Sequence, residues 1–124
     1  MQSLRRPLRW LPGVLLMSVI FIFSSIPSKE MPSFGSWDVL VKKGGHAIGY
    51  GLLALSFWYA MDWNQKLPWL AFLFAALYAL SDEFHQAFVP GRHPSWVDAL
   101  LIDNGGAALA LLTTWLIKKR SEKE

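Results

Sequence analysis

The sequence contains no cysteine and few charged residues, and each shortage excludes a class of protein. Without cysteine, the chain cannot form disulfides, thiolate metal sites or a cysteine nucleophile. Charged residues make up 17% of the 124 residues, whereas an ordinary soluble domain has roughly 25%. Hydrophobic residues make up 53%, which a soluble domain of this length could not cover with polar surface. We therefore expect much of the apolar surface to face lipid.

The basic residues are placed as in a membrane protein. Twelve Lys and Arg residues outnumber nine Asp and Glu residues, and most of them flank the hydrophobic runs. A nucleic-acid-binding surface would gather them into a basic stripe on a folded face, so we expect membrane lipids, and no nucleic acid, as partners.

The hydrophobic runs predict a single all-α domain over residues 1–124, a four-helix transmembrane bundle with an up-and-down path. A membrane-spanning helix needs about 20 mostly apolar residues, and four runs approach this length. The predicted helices cover about 10–26, 45–61, 67–86 and 96–117. The first run is also compatible with a cleaved signal peptide, because it follows a basic start. Pro68 suits the first turn of the third helix and Ser95 the N-cap of the fourth.

The distribution of Lys and Arg predicts that both termini lie in the cytoplasm, the side on which short loops carry more basic residues. With this orientation the inner side has eight basic residues: Arg5, Arg6, Arg9, Lys66, Lys118, Lys119, Arg120 and Lys123. The outer side has four: Lys29, Lys42, Lys43 and Arg92. Lys42 fits an interfacial lysine that reaches towards water.

The alternating path brings three polar segments to the same membrane face, because the second and fourth helices start where the third one ends. Ionisable groups inside a membrane cost several kcal/mol unless they are paired or hydrated. We therefore expect a polar cavity that opens to this face. Its candidate residues are Lys43, His46, Tyr50, Asp82, Glu83, His85, Gln86, Arg92, Asp98, Asp103 and Asn104.

The spacing of these residues predicts which of them share a helix face. Lys43, His46 and Tyr50 form one stripe at i, i+3 and i+7. On an α-helix, Asp98 and Asp103 are five residues apart and are expected to point in different directions.

Small residues predict where the helices come close. The patterns Gly45-x-x-x-Gly49 and Gly106-x-x-x-Ala110 are typical of helices that pack closely in membranes.

These residues support the hypothesis of a cavity that binds or modifies an anionic amphiphile, such as a lipid headgroup or a lipid-linked phosphate. Lys43 and Arg92 would hold the anion, Arg92 through its planar fork of donors. Asp82 or Glu83 would act as general base, and His46 or His85 as acid or orienting partner. The predicted catalytic residues are His46, Asp82, Glu83 and Gln86, and the predicted substrate-binding residues are Lys43, Tyr50, Arg92, Asp98, Asp103 and Asn104.

Three alternatives stay open at this stage, as do the oligomeric state and whether the chain is an enzyme. A metal-dependent site could use His46, His85, Glu83 and Asp82, but the sequence lacks a His-Glu-x-x-His motif, so no cofactor is expected. Transport would require an oligomer, because the cytoplasmic half of the bundle offers no polar path. Finally, the polar cluster could serve only as an interhelical clamp.

Three motifs resemble the VanZ-like family of bacterial membrane proteins. They are Lys43-x-x-His46-x-x-x-Tyr50, Asp82-Glu83-x-x-Gln86-x-Phe88-x-Pro90-x-Arg92, and Asp98 with a later Asp or Asn before Gly. The resemblance covers about 43–110 and implies a multi-pass protein of the bacterial cytoplasmic membrane. The family's namesake is associated with low-level teicoplanin resistance, which implies a role at the cell envelope. The family spaces the last two residues by four, so either Asp103 or Asn104 fills the second position here.

Overall fold

The computed structural model describes the backbone of residues 2–124 and the side chains from residue 5 onwards. Within this range the chain is helical and forms no strand, which confirms the all-α prediction. The α-helices are α1 (Gln2–Leu8), α2 (Leu11–Ser25), α3 (Asp38–Ala60), α4 (Pro68–Gln86), α5 (Trp96–Asp98) and α6 (Asn104–Ser121). Short 3-10 turns lie at Ser28–Glu30 and Gly35–Trp37, and a π turn, Ala99–Asp103, makes α5 and α6 one continuous helix.

The helix starts follow local chemistry. As predicted, α4 begins at Pro68, and the Ser95 side chain caps α5 by accepting a hydrogen bond from the Asp98 amide at 3.2 Å. The predicted start of the second helix at residue 45 is wrong, since α3 begins at Asp38. An acidic residue in the first turn stabilises a helix, and Asp38 occupies that turn. Asp38 also forms a 2.9 Å ion pair with Lys42, and such i, i+4 pairs stabilise a helix too.

Helix α3 lies at the centre of the bundle and contacts α2, α4 and α6. Its buried face packs against alanines of α4, which are four residues apart and therefore share one face. Small side chains of this kind let two helix backbones approach closely. The buried core consists of Tyr50, Leu53, Ala54, Phe57, Trp58, Ala71, Ala75, Ala79, Ala107 and Leu111.

The closest helix contact joins α3 and α6. A Cβ atom added at Gly106 would overlap the backbone of Ala47, and one added at Gly51 would lie 3.2 Å from the Gly106 carbonyl oxygen. The predicted contact of the second small-residue pattern is thus present. The prediction for Gly45 and Gly49 is wrong, because open space surrounds both.

Two helices of the described chain are long and apolar enough to cross a membrane, as judged by length and composition. The first is the stretch Arg5–Ser25, which contains the end of α1 and all of α2. The second is Trp96–Ser121, which contains α5, the π turn and α6. In the most apolar part of each stretch, only 11% and 17% of the residues are buried in the fold. Most of these apolar side chains therefore face outwards.

Helix α2 is bound to the other helices along its whole length. At its start, Arg9 Nε donates to the Tyr59 carbonyl at 3.1 Å, and in its middle the Tyr78 hydroxyl donates to the Met17 carbonyl at 2.5 Å. Near its end, Gln86 Nε2 donates to Ser24 Oγ at 3.3 Å. These contacts join α2 to both α3 and α4.

Candidate functional site

A cavity of about 230 Å³ lies at the end of the bundle where α3 and α5 begin and α4 ends. It opens outwards, and most of its lining side chains are polar or charged. These residues are Asp38, Val39, Lys42, Lys43, His46, Glu83, Gln86, His93, Ser95, Asp98, Ile102 and Asp103. The up-and-down path therefore brings together polar groups from three separate parts of the sequence.

Two lysine–aspartate pairs form the mouth of the cavity. Lys42 Nζ lies 2.9 Å from Asp38 Oδ2, and its hydrogen bond holds the pKa of that carboxyl below its usual range. Lys43 Nζ lies 3.4 Å from Asp98 Oδ1, and these two side chains are 48% and 43% exposed. Exposed ion pairs contribute little stability, so the Lys43–Asp98 pair adds little to the fold, whereas the Lys42–Asp38 pair is partly covered.

Two buried carboxylates form the floor. Asp103 is 3% exposed, and its Oδ1 lies 3.3 Å from His46 Nδ1. Glu83 is 5% exposed, and its Oε2 accepts a hydrogen bond from the Ser95 amide at 2.8 Å. The floor thus pairs a carboxylate with a histidine, and both side-chain types are used in general acid–base catalysis.

A buried hydrogen-bonded chain supports the wall at Gln86. The Tyr50 hydroxyl donates to Asp82 Oδ2 at 3.1 Å, and Gln86 Nε2 donates to the same oxygen at 3.2 Å. Asp82 is 4% exposed, and among the described side chains its Oδ1 is the buried polar atom that has no hydrogen-bond partner. Tyr50 and Asp82 do not line the cavity themselves.

The π turn explains why Asp98 and Asp103 line the same cavity, which corrects the expectation that they point apart. The Asn104 amide donates to the Ala99 carbonyl, five residues earlier. In a π turn this longer repeat aligns residues that are five apart. Asp103 lines the cavity and the next residue, Asn104, does not.

Two predicted candidates lie against α2, outside the cavity lining. Arg92 donates from Nε to the Ile26 carbonyl at 3.0 Å and from its terminal nitrogen to the Phe23 carbonyl at 2.9 Å. His85 Nε2 is 2.9 Å from Ser25 Oγ, and its ring stacks on Phe21 with 4.5 Å between centroids. Both side chains fasten the end of α4 and the following loop to α2.

Six lining residues were absent from the predicted site, the apolar Val39 and Ile102 and four polar ones. Asp38 and Lys42 lie on the added first turns of α3, and their i, i+4 spacing was the available signal. His93 and Ser95 come from the loop before α5, where the sequence indicates turns and a cap but not which side chains point inwards.

The metal-dependent alternative needs several His, Asp or Glu side chains grouped around one point. Among the described residues, no three His, Asp or Glu side chains are grouped so that they could hold a metal ion. The histidine and carboxylates of the floor pair with one another and with a backbone amide instead.

Fold and site together define a class: small all-helical proteins whose apolar helices end at one polar cavity. A family model described as VanZ/LLP1 matches residues 9–118. The chain therefore belongs to the VanZ/LLP1 family, which confirms the resemblance indicated by the three motifs. No curated protein and no solved structure matches the chain.

Proposed function

We propose that the chain is a multi-pass protein of the bacterial cytoplasmic membrane whose cavity faces outwards and binds an anionic headgroup. The headgroup would belong to a lipid or to a lipid-linked precursor of the cell envelope. The observation that carries this proposal is the position of the lysine-rimmed cavity, at one end of a bundle with apolar outer faces.

Exposed apolar side chains on each long helix support the membrane location. A contiguous apolar surface of this extent is expected to contact lipid or a partner. Examples on α2, α3 and α4 are Val14, Leu15, Ile22, Phe23, Ile48, Leu52, Trp69, Leu77 and Phe84. Those on the last helix are Leu100, Leu101, Leu109, Leu112 and Ile117.

The opposite end of the bundle supports the orientation. Arg9 lies 4.5 Å from the Tyr59 ring centroid, and Lys118 lies 4.7 Å from that of Trp63. Aromatic and basic residues gather where a helix leaves the cytoplasmic face of a membrane. This end would lie in the cytoplasm, which leaves the cavity at the outer face.

The cavity chemistry supports binding of a phosphate-bearing group. Lys42 and Lys43 are strongly hydrated point charges on flexible stems, which suit contact with a phosphate. Behind them, Glu83 is the proposed general base, and His46, oriented by Asp103, is the proposed proton donor. The same arrangement serves a binding protein if no bond is broken, so the test must follow both binding and conversion.

The absence of cysteine gives a direct test of topology. Single variants Ser33→Cys, His46→Cys and His93→Cys should react in intact cells with a maleimide that cannot cross the membrane. Asn64→Cys, in the turn at the opposite end, should react only after the cells are opened. Labelling of positions 46 and 93 from opposite sides would disprove the arrangement.

Lipid binding tests the proposed ligand. Purified full-length protein in phosphatidylcholine nanodiscs is offered phosphatidylglycerol or undecaprenyl phosphate, and mass spectrometry counts retained and altered lipids. Lys43→Gln should reduce retention of both anionic lipids by about tenfold, the effect of losing one charge-assisted contact. Lys66→Gln, at the opposite end, is the matched control. Equal retention by both variants would contradict the proposal, and a new lipid species would identify an enzyme.

A second candidate function, an interhelical clamp, is favoured by the chain from Tyr50 through Asp82 and Gln86 to Ser24, which links α3, α4 and α2. It predicts that variants at Asp82 lower stability while lipid retention per folded molecule stays the same.

A further inference from the structure

We propose that the headgroup bound in the cavity carries a primary ammonium as well as a phosphate, as a phosphoethanolamine-type lipid does. This inference rests on the proposed function and adds the chemical class of the ligand and its direction in the cavity. The ammonium would point towards the floor and the phosphate towards the mouth.

The buried charge at this end of the bundle calls for a cation. Asp82, Glu83 and Asp103 are 4%, 5% and 3% exposed. Among the described side chains, the nearest charged partner of these three is His46, and no lysine or arginine pairs with them. Buried carboxylates are costly unless they are paired or hydrogen-bonded. A bound cation would supply what the nearby basic residues do not, because Lys42 and Lys43 pair with aspartates at the mouth and Arg92 binds the Ile26 and Phe23 carbonyls.

An unpartnered oxygen behind the lining residue Gln86 adds to the buried negative charge near the cavity, although Asp82 does not line the cavity itself. Asp82 Oδ1 is buried without a hydrogen-bond partner, while its other oxygen holds Gln86, which lines the cavity. A buried polar atom without a partner is rare and calls for an explanation such as an absent ligand. An ammonium near Gln86 would stabilise this carboxylate as well as those of the floor.

A primary ammonium fits the floor better than other cations. Among the described residues no group of three donors could hold a metal ion. An ammonium has three N–H donors, which match the acceptor oxygens of Glu83 and Asp103. A quaternary ammonium is larger and has no N–H donor, so it would add no hydrogen bond to these carboxylates.

The two charges of the ligand match the two levels of the cavity. On α3, Lys43 at the mouth and His46 at the floor are three residues apart, or about 4.5 Å along the helix axis. The two-carbon link between phosphate and amine in phosphoethanolamine spans a comparable distance. The basic mouth would therefore bind the phosphate, and the acidic floor the ammonium, of one small zwitterion.

The apolar part of the lining favours a lipid over a free headgroup. Val39 and Ile102 line the cavity beside its charged groups, and Val39 is 63% exposed. Acyl chains attached to the phosphate could leave the mouth across this side towards the lipid.

The test needs only the unaltered protein and a series of lipids. Native mass spectrometry of the full chain in detergent compares phosphatidylethanolamine with its N-methyl, N,N-dimethyl and N,N,N-trimethyl forms, all with identical acyl chains. Retention should fall at each step as N–H donors are lost, by about tenfold over the series. A flat series would overturn the inference. Soluble phosphoethanolamine should compete poorly, and competition equal to that of the lipid would overturn the lipid source.

Two variants separate failure of this inference from failure of the proposed function. Glu83→Gln keeps the shape of the floor but removes a charge, and it should abolish the preference for phosphatidylethanolamine over phosphatidylglycerol. Lys43→Gln should weaken retention of both lipids alike, and Asp62→Asn, at the opposite end, should change neither. If Glu83→Gln keeps the preference while Lys43→Gln still weakens both lipids, the ammonium is wrong and the anion site stands. If Glu83→Gln does not fold, Asp103→Asn takes its place.

Discussion

The two ends of the bundle contain the same kinds of charged residue in opposite arrangements. At the end proposed to be cytoplasmic, Arg9 pairs with Asp62, which is 60% exposed, and Lys118 and Lys119 lie over tryptophan rings. At the cavity end, Glu83 and Asp103 are almost fully buried. Exposed pairs are worth about 0.2–1 kcal/mol, whereas buried charges depend strongly on their partners. Burial and convergence, and not the number of charges, therefore distinguish the cavity end, which is the proposed functional end.

The largest expected effect concerns the helix contact just below the cavity. Gly106→Ala would drive a methyl group into the Ala47 backbone, and because backbone cannot turn away as a side chain can, we expect a loss of about 3 kcal/mol or more of unfolding free energy. Gly105→Ala is the control, since nothing lies within 4 Å of its added Cβ. It should be neutral or stabilise the helix by about 0.5–1 kcal/mol. Unfolding in a detergent titration measures both, and equal stability would contradict the close contact.

The next largest loss of stability is expected from truncating a buried acid, with an exposed acid as the control. Asp82→Ala leaves the Tyr50 hydroxyl and the Gln86 amide without their shared acceptor, so we expect a loss of about 2 kcal/mol. Glu122→Ala, an exposed acid at the other end, should stay within about 0.5 kcal/mol of the parent. The same detergent titration applies. Measured together with lipid retention, the Asp82 variant also separates a clamp, which loses stability alone, from a binding site.

A smaller effect compares two arginines that each bind a carbonyl near a helix end. Arg92→Lys cannot bridge the Ile26 and Phe23 carbonyls with a planar fork, and we expect a loss of about 1 kcal/mol. Arg9→Lys should lose less, because its contacts are exposed and lysine keeps the charge.

Lipid retention by the Arg92 variant decides between two roles for this side chain. The contacts with α2 indicate that Arg92 positions the loop, so retention per folded molecule should stay the same in Arg92→Lys. A loss as large as that of Lys43→Gln would instead restore the sequence-based prediction of a direct anion contact.

The sequence was sufficient for the all-α class and for bringing polar segments from different helices to one end, because both follow from hydrophobic runs and an alternating path. It placed Lys43, His46 and Glu83 at one end, where the structure brings them into one cavity. It could not indicate where Arg92 points, because the partners of an arginine in a loop depend on which backbone carbonyls the tertiary structure places beside it. It also misjudged Asp98 and Asp103, since the spacing argument assumed an α-helix throughout and nothing in the leucine-rich segment between them announces a π turn.

That π turn leads to the smallest expected effect. Deletion of Leu101, which is 67% exposed, should convert the turn to regular α-helix with Asp98 and Asp103 four residues apart. Residues four apart share a helix face, so both carboxylates should still line the cavity, and stability should change by less than about 1 kcal/mol. Lipid retention should also stay at the level of the parent. The comparison is deletion of Leu109, equally exposed at 65% but within α6, where no π turn can absorb the change. Loss of one residue there rotates the rest of the helix by about 100° and takes Leu111 out of the core, at a cost of about 3 kcal/mol. If the two deletions lower the unfolding free energy equally, the π turn is not what lets both aspartates line the cavity.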